Sequence, residues 1–250
     1  MRALITGASS GIGREIAILL SEIGVETILV ARREERLKDL QSRLKTKSEI
    51  IVTDLSLPGN AEKLFNDAGD IDILVNNAGF GVFGKFDIVP LEKEQQLISL
   101  NVTALHVLTK LYLKEFKKKD SGYILNVGSI ASFLNGPLFS SYYASKSYVM
   151  RLSSAIYYEL KKEKSNVKIS CLCPGPVVTE FNEVAGVSFG PLGMRADKVA
   201  KIALSGMFKG KRLVLPGLLI KTCRILAKIC PDSVTSRVVM MVQNARVLKE

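Results

Sequence analysis

The chain has no tryptophan, a single histidine (His106) and four cysteines among 250 residues. Metal chemistry therefore has few candidate ligands. No His or Cys pair shows zinc spacing, and the one histidine lies inside a long helical pattern, where packing or surface exposure accounts for it. The cysteines form no disulfide framework. Cys171 and Cys173 alternate along an expected strand and share a face, while Cys223 and Cys230 stand seven apart in an expected helix. That usage suits a reducing compartment. A charged leader followed by a long apolar stretch and a cleavage site is also missing, so secretion is not expected and a cytoplasmic location is. Internal repeats, low-complexity tracts and linkers are absent too, which points to one domain over residues 1–250.

Apolar residues, by contrast, are plentiful. At 47% hydrophobic the chain can bury a substantial core. The net charge of +11 is unevenly spread: residues 195–250 carry 12 Lys/Arg against 3 Asp/Glu, and residues 1–194 carry 23 against 21. The body is nearly neutral and the tail is basic. Two lysine clusters in the body, Lys117–Lys119 and Lys161–Lys162, close helical stretches, where cations offset the helix dipole. No nucleic-acid motif accompanies the charge, and no nucleic-acid partner is expected.

Short apolar runs at 3–6, 27–30, 50–52, 71–75, 123–127, 167–171 and 213–215 alternate with helical patterns near 12–23, 34–46, 60–68, 90–118, 141–163 and 196–209. Several runs are near-continuous hydrophobics, as strands buried on both faces require. The alternation predicts an α/β fold, a parallel sheet of about seven strands with helices on both faces.

The first strand leads into Gly7-Ala8-Ser9-Ser10-Gly11-Ile12-Gly13, and a helix follows. Glycines allow a tight turn and a close approach of backbone to phosphate, and the N–H groups opening a helix face an anion. A nucleotide is the expected ligand. The second strand ends in Ala31-Arg32-Arg33, with no carboxylate for a ribose 2′-hydroxyl. Arginine pairs well with phosphate, so the expected cofactor is NADP(H), with Arg32 the first contact, Arg33 beside it and Arg14 in reserve.

Tyr142 and Lys146 stand four residues apart and share a helix face, with Ser129 thirteen residues before the tyrosine. An ammonium near a phenol favours the phenolate, and a serine hydroxyl can hold a substrate oxygen. The trio has the composition of an acid–base device.

These segments, taken in order, resemble the short-chain dehydrogenase/reductase family. The match includes the glycine loop, Asp54-Leu55, Asn76-Asn77-Ala78-Gly79, Asn101, Ser129, Tyr142 with Lys146, and Pro174-Gly175 followed by Val177 and Thr179. It covers residues 1 to about 180. The resemblance implies a Rossmann-like doubly wound fold and hydride exchange between nicotinamide and a carbonyl or alcohol carbon. It implies Tyr142 as general acid/base, Lys146 on the nicotinamide ribose, Ser129 on the reacting oxygen and Asn101 as a relay to solvent. It also implies Asp54 near adenine, Asn76, Ala78 and Gly79 along the cofactor, and Pro174 to Thr179 at the carboxamide. A homo-oligomer is expected. A second function on the same fold, an NADP-sensing or scaffold protein without catalysis, has no use for a proton donor.

Apolar residues after these motifs suggest a hydrophobic carbonyl or alcohol substrate: Phe80, Val82 and Phe83; Phe133, Leu134 and Leu138; then Phe181, Val184, Val187, Phe189 and Met194 in a lid spanning 181–210. The tail, 216–247, departs from the family pattern. Lys221, Arg224 and Lys228 share one face of an amphipathic helix, with Leu218, Leu219, Ile225, Leu226 and Ile229 largely elsewhere. The preferred expectation is a lid or oligomer contact with a solvated basic face; the other is peripheral contact with an anionic membrane.

Overall fold

The computed structural model describes residues 1–181 and 193–244. Its main sheet has seven parallel strands: β1 (Arg2–Thr6), β2 (Glu26–Ala31), β3 (Ser48–Val52), β4 (Ile73–Asn76), β5 (Tyr123–Val127), β6 (Lys168–Leu172) and β9 (Leu213–Val214), in the order β3-β2-β1-β4-β5-β6-β9. Two short strands, β7 (Val177–Val178) and β8 (Met194–Arg195), pair separately. The apolar runs form central strands because their pleat sends alternate residues into two cores. Ile5 and Leu125 meet Ile16, Leu20, Leu37 and Met207 on one face. That face is covered by α1 (Gly11–Glu22), α2 (Glu34–Ser42) and α7 (Ala196–Phe208). Leu4 and Ile124 meet Leu64, Leu108, Phe116 and Leu160 on the other, beneath α3 (Asn60–Ala68), α5 (Leu105–Lys119) and α6 (Ser140–Lys162). The arrangement is the expected doubly wound α/β fold.

The strand order reverses between β1 and β4, so loops leaving their carboxyl ends part and open a crevice. Every expected motif from the glycine loop to Pro174 leaves the same end of the sheet.

Two regions differ from expectation. The helix expected over 90–118 is interrupted: α4 (Leu91–Ile98) passes into a π-helical stretch, Ser99–Ala104, before α5 resumes the ordinary pitch. The extra residue per turn turns Asn101 inward, where it is fully buried. Part of the segment expected as a lid, 181–210, belongs to the core instead. Ala196–Phe208 is a core helix whose Val199, Ala200, Ala203 and Met207 are fully buried against α1 and the sheet. Val184, Val187 and Phe189 lie outside the described residues, as do 245–247 of the tail. The rest of the tail forms α8 (Leu218–Ile229) and α9 (Asp232–Asn244).

A buried polar chain ties the sheet to α5 and α6. Asn76 Nδ2 donates to Thr109 Oγ1 at 3.0 Å and to Asn126 Oδ1 at 2.9 Å, and Asn126 Nδ2 donates to Ser153 Oγ at 3.0 Å. Asn76 was expected among the cofactor contacts. Its side chain instead points into this interior network, because strand alternation turns it away from the crevice that its neighbour Asn77 enters. Asn126→Ala orphans groups on β4 and α6 together. It is expected to destabilise the protein by roughly 1–3 kcal/mol in urea denaturation, with an unchanged m-value. A loss below ~0.5 kcal/mol, the range of ordinary surface substitutions, would contradict a structural role.

Candidate active site

The glycine loop follows β1 directly. Gly7 has φ +66°, a conformation L side chains rarely adopt. Gly13 has no such torsion, yet a Cβ there would collide with Asn77 Nδ2 and Gly7 O. Asn77 Nδ2 also donates to Thr6 O at 3.0 Å and Gly7 O at 3.1 Å, so the loop is built around this one amide. Ser10 occupies the N-cap of α1 without a side-chain cap bond, and the first-turn N–H groups of α1 open toward the crevice.

Arg33, rather than Arg32, reaches this loop. Its Nη2 donates to Ser9 Oγ at 3.2 Å and Ser10 Oγ at 3.3 Å, and its Nη1 to Glu180 Oε2 at 2.9 Å. Arg36 also binds Glu180, and hydrogen bonds from Arg36 and then Arg33 hold that carboxyl below the usual range. Arg32 is largely exposed and donates to Asp54 Oδ2 at 3.4 Å. Burial pushes the Asp54 carboxyl up, but hydrogen bonds from Ser56 and the Arg32 charge outweigh it and leave the group below its ordinary value. Arg14 turns to Glu15 and Asp39, away from the loop.

At the other end, Ser129 follows β5 and opens a short 3-10 turn, Ile130–Phe133, as part of a capping box with Ser132. Ser132 Oγ donates to Lys146 O at 2.7 Å, which fixes the turn against α6. On α6, Tyr142 is buried and stacks on Phe139, with ring centroids 4.6 Å apart and planes inclined 20°. Phe181 also packs near the ring, with centroids 5.3 Å apart and planes inclined 48°. Burial pushes the Tyr142 phenol well above its ordinary value, and a hydrogen bond with Ser129 pulls it back in part. The opposing group is thus the serine hydroxyl. The Lys146 ammonium, expected to do this, is 5.8 Å from the phenol ring centroid and donates to Val127 O at 2.8 Å. Burial pushes the Lys146 pKa down to about 8, against a weaker upward pull from Cys171 and Cys173.

Asn101 sits behind these groups. Its Oδ1 accepts from Phe80 N–H at 3.1 Å, and its Nδ2 donates to Phe80 O at 2.9 Å and Ser145 Oγ at 3.1 Å. Gly79 lies between it and Lys146: a Cβ on Gly79 would stand 2.9 Å from Asn101 Oδ1 and 3.4 Å from Lys146 Nζ. The asparagine clamps the strand-to-loop backbone beside the lysine.

These groups line one cavity of about 630 Å³ that runs from Arg32, Arg33 and Asp54 through the glycine loop to Ser129, Tyr142 and Lys146. Of the residues expected at the cofactor or in catalysis, Ser9, Ser10, Gly11, Ile12, Ala78, Gly79, Pro174, Gly175, Val177 and Thr179 also line it, whereas Gly13, Asn76 and Asn101 stand outside the lining. Of the expected substrate contacts, Phe80, Leu134 and Phe181 line it. Val82 and Phe83 pack behind, against the Leu97–Phe139 cluster, and Phe133 packs against Leu105 and Met150. Leu138 and Met194 also stand outside the lining.

The far wall comes from the tail, for which a lid was one expectation, although the lining residues were not named. Ile220 and Cys223 of α8 and Val239 and Gln243 of α9 close the cavity. Gln243 Nε2 donates to Tyr143 Oη at 3.0 Å, across a separation of one hundred residues that no local pattern reveals. Asn77 was the other omission, although its place beside Asn76 was visible.

A cradle that excludes a Cβ at Gly13, helix-opening N–H groups beside it and a cationic end at Arg33 fit an elongated dinucleotide. The comparisons agree. A family model described as short chain dehydrogenase matches residues 1–186. The chain is 36% identical over 214 residues to an NADP-dependent 3-hydroxy acid dehydrogenase of Schizosaccharomyces pombe, covering 79% of this chain and 78% of that protein. It is 30% identical over 204 residues to a 7beta-hydroxysteroid dehydrogenase of Mediterraneibacter gnavus, covering 79% and 76%. Its fold superposes on a short-chain dehydrogenase from Sphingobium yanoikuyae in complex with NADPH with a TM-score of 0.81, at 29% identity over 100% of this chain and 98% of that one.

Proposed function

The chain belongs to the short-chain dehydrogenase family and is a carbonyl–alcohol oxidoreductase, and from that premise we propose that it uses NADP(H) on a hydrophobic carbonyl or alcohol, with Tyr142 as general acid/base. The observation that carries this reading is a single cleft that runs from the phosphate cradle to Ser129, the buried Tyr142 and Lys146. When bound, the nicotinamide supplies or takes the hydride.

The protein's own groups handle the proton and the geometry. Burial keeps the Tyr142 phenol protonated through neutral pH, which suits donation to a carbonyl oxygen during reduction. Ser129 holds that oxygen beside the phenol, and its hydrogen bond stabilises charge that develops there. Lys146 is a cation below pH about 8 and is anchored at Val127 O, next to the space a nicotinamide ribose would fill. Phe139, stacked on the phenol ring, and Phe181 nearby exclude water from it. Arg33 over Ser9 and Ser10 supports a 2′-phosphate and hence NADP(H). The apolar far wall supports a hydrophobic substrate, in keeping with a hydroxysteroid dehydrogenase among the relatives.

Tyr142→Phe is expected to lower reduction of a good ketone by roughly 10²–10⁴-fold while NADPH still binds, measured by NADPH oxidation and fluorescence titration. Unchanged turnover would end the acid–base assignment, and NADPH binding without turnover across a graded ketone series would favour a sensor. Arg33→Ala is expected to weaken NADPH by about tenfold or more, corresponding to one lost charge-assisted pair, and to leave NADH nearly unchanged. Arg32→Ala should do less; the reverse ranking would return the role to Arg32. Because kcat/KM reports the free enzyme, the active, charged form of Lys146 is present below about pH 8 and lost as pH rises through it. Reduction measured as kcat/KM should therefore be flat near neutrality and decline above about 8. A profile still rising there would contradict a required ammonium.

A further inference from the structure

The two C-terminal helices show their apolar side chains to the outside. On α8 the residue turned to the body is Ile220, which is buried over Gly175. At 100° per residue, Leu218, Ile225 and Ile229 form a stripe on the opposite side, with Leu219 and Leu226 along its border. Leu218 is 79% exposed, Ile229 74% and Leu219 67%. Lys221 and Lys228, seven residues apart, edge this stripe. On α9, Val234, Val238 and Met241 repeat the pattern at i, i+4 and i+7, and all three are exposed. The solvated basic face expected for this tail is thus only a flank, and the outward arc is apolar. Contiguous exposed apolar surface of this kind marks an interaction site. It is also continuous with the cavity mouth, because Leu219, Val238 and Val242 are exposed and line the cavity together.

Charge selects the occupant. Residues 218–244 hold Lys221, Arg224, Lys228 and Arg237 against Asp232 alone. A second copy docked through the same face about a two-fold axis would oppose like charges across an apolar patch, which leaves self-association to other faces. A surface that is apolar inside and anionic at its border complements both features. No helix among the described residues is long and apolar enough to cross a membrane, and α8 has 12 residues, so the helices would lie along a bilayer.

We infer that α8 and α9 dock the protein on an anionic lipid surface. Their outward apolar arc enters the acyl boundary, Lys221 and Lys228 meet headgroup phosphates, and the cavity mouth opens toward the lipid. A lipid-dissolved carbonyl compound then reaches Tyr142 without crossing bulk water; this last step rests on the proposed function, and the docking does not.

The test is co-sedimentation of the full chain with phosphatidylcholine vesicles containing or lacking phosphatidylglycerol, at low and high salt. Binding is expected on the anionic vesicles, falling with salt. Ile225→Glu/Ile229→Glu should lower it at least about tenfold, and Lys221→Gln/Lys228→Gln by about 25-fold, at roughly fivefold per cation. Both variants should keep wild-type NADPH binding and wild-type turnover of a small water-soluble ketone, since none of the four residues lines the cavity. Absence of wild-type binding at low salt, or binding unchanged by Ile225→Glu/Ile229→Glu, would overturn the inference. So would conversion of a wild-type dimer to monomer by that double variant with no vesicle binding, which would assign the face to a second copy. Vesicle binding without ketone turnover would uphold docking and remove the oxidoreductase reading of the substrate instead.

Discussion

Where β1 and β4 part, one hydroxyl holds both strand ends. Thr6 Oγ1 donates to Val75 O at 3.2 Å and accepts N–H from Asn77 and Ala78, each at 3.0 Å. The crevice exists because strand order reverses here, and parting loops would otherwise leave their first backbone groups without partners. With Thr6 closing one side and the Asn77 amide bridging to Thr6 O and Gly7 O on the other, the glycine loop and the fourth-strand loop become one rigid piece. The phosphate cradle, the approach to Gly79 and the position of Asn101 beside Lys146 all hang on that piece. The Thr6–Val75 bond is buried and the others are partly so, which makes them costly to leave unmade.

The reacting end depends on a different constraint, exclusion of water. Tyr142 packs against Phe139 and Phe181, and Lys146 is buried with its ammonium on Val127 O. Desolvation moves the two groups in opposite directions, the phenol up and the ammonium down, because it disfavours the charged form of each. Their acid–base character therefore comes from burial first, opposed by Ser129 at the phenol and by Cys171 and Cys173 at the ammonium. Ser129 is the group that opposes burial at the phenol, and its capping turn is locked to α6 through Ser132 and the Lys146 carbonyl. A displacement of that turn would alter the phenol before it altered the lysine.

Much of this was legible in the chain, for local reasons. Near-continuous apolar runs predicted central parallel strands, and the glycine spacing predicted a strand–loop–helix cradle, because both signals act within a few residues. The signals that failed are those decided by distant partners. Asn76 and Asn77 are adjacent and chemically identical, and only the pleat of β4 against β5 sends one to Asn126 and the other to the loop. Arg32 and Arg33 pose the same problem: both follow the end of β2 at Ala31, and Glu180, 147 residues away from Arg33, settles which one lies over Ser9 and Ser10. The π-helical stretch at Ser99–Ala104 left no trace in the 90–118 pattern, since one extra residue per turn hardly changes an apolar count.

The tail shows the same limit most fully. A helical wheel of Leu218–Ile229 separates a basic edge from apolar residues spread over more than half the circumference. It does not say which apolar part faces the body. Gly175 decides that, because its missing side chain leaves room for Ile220 alone to enter, and the helix is oriented by that one contact and by Arg224 over the Phe133 ring at 5.9 Å. Once Ile220 is seated, Leu218, Ile225 and Ile229 must point outward. Burying them inward instead would turn Ile220 and Cys223 out and open the cavity wall. The closure of the active-site cavity and the exposure of the apolar arc are therefore two consequences of one helix orientation.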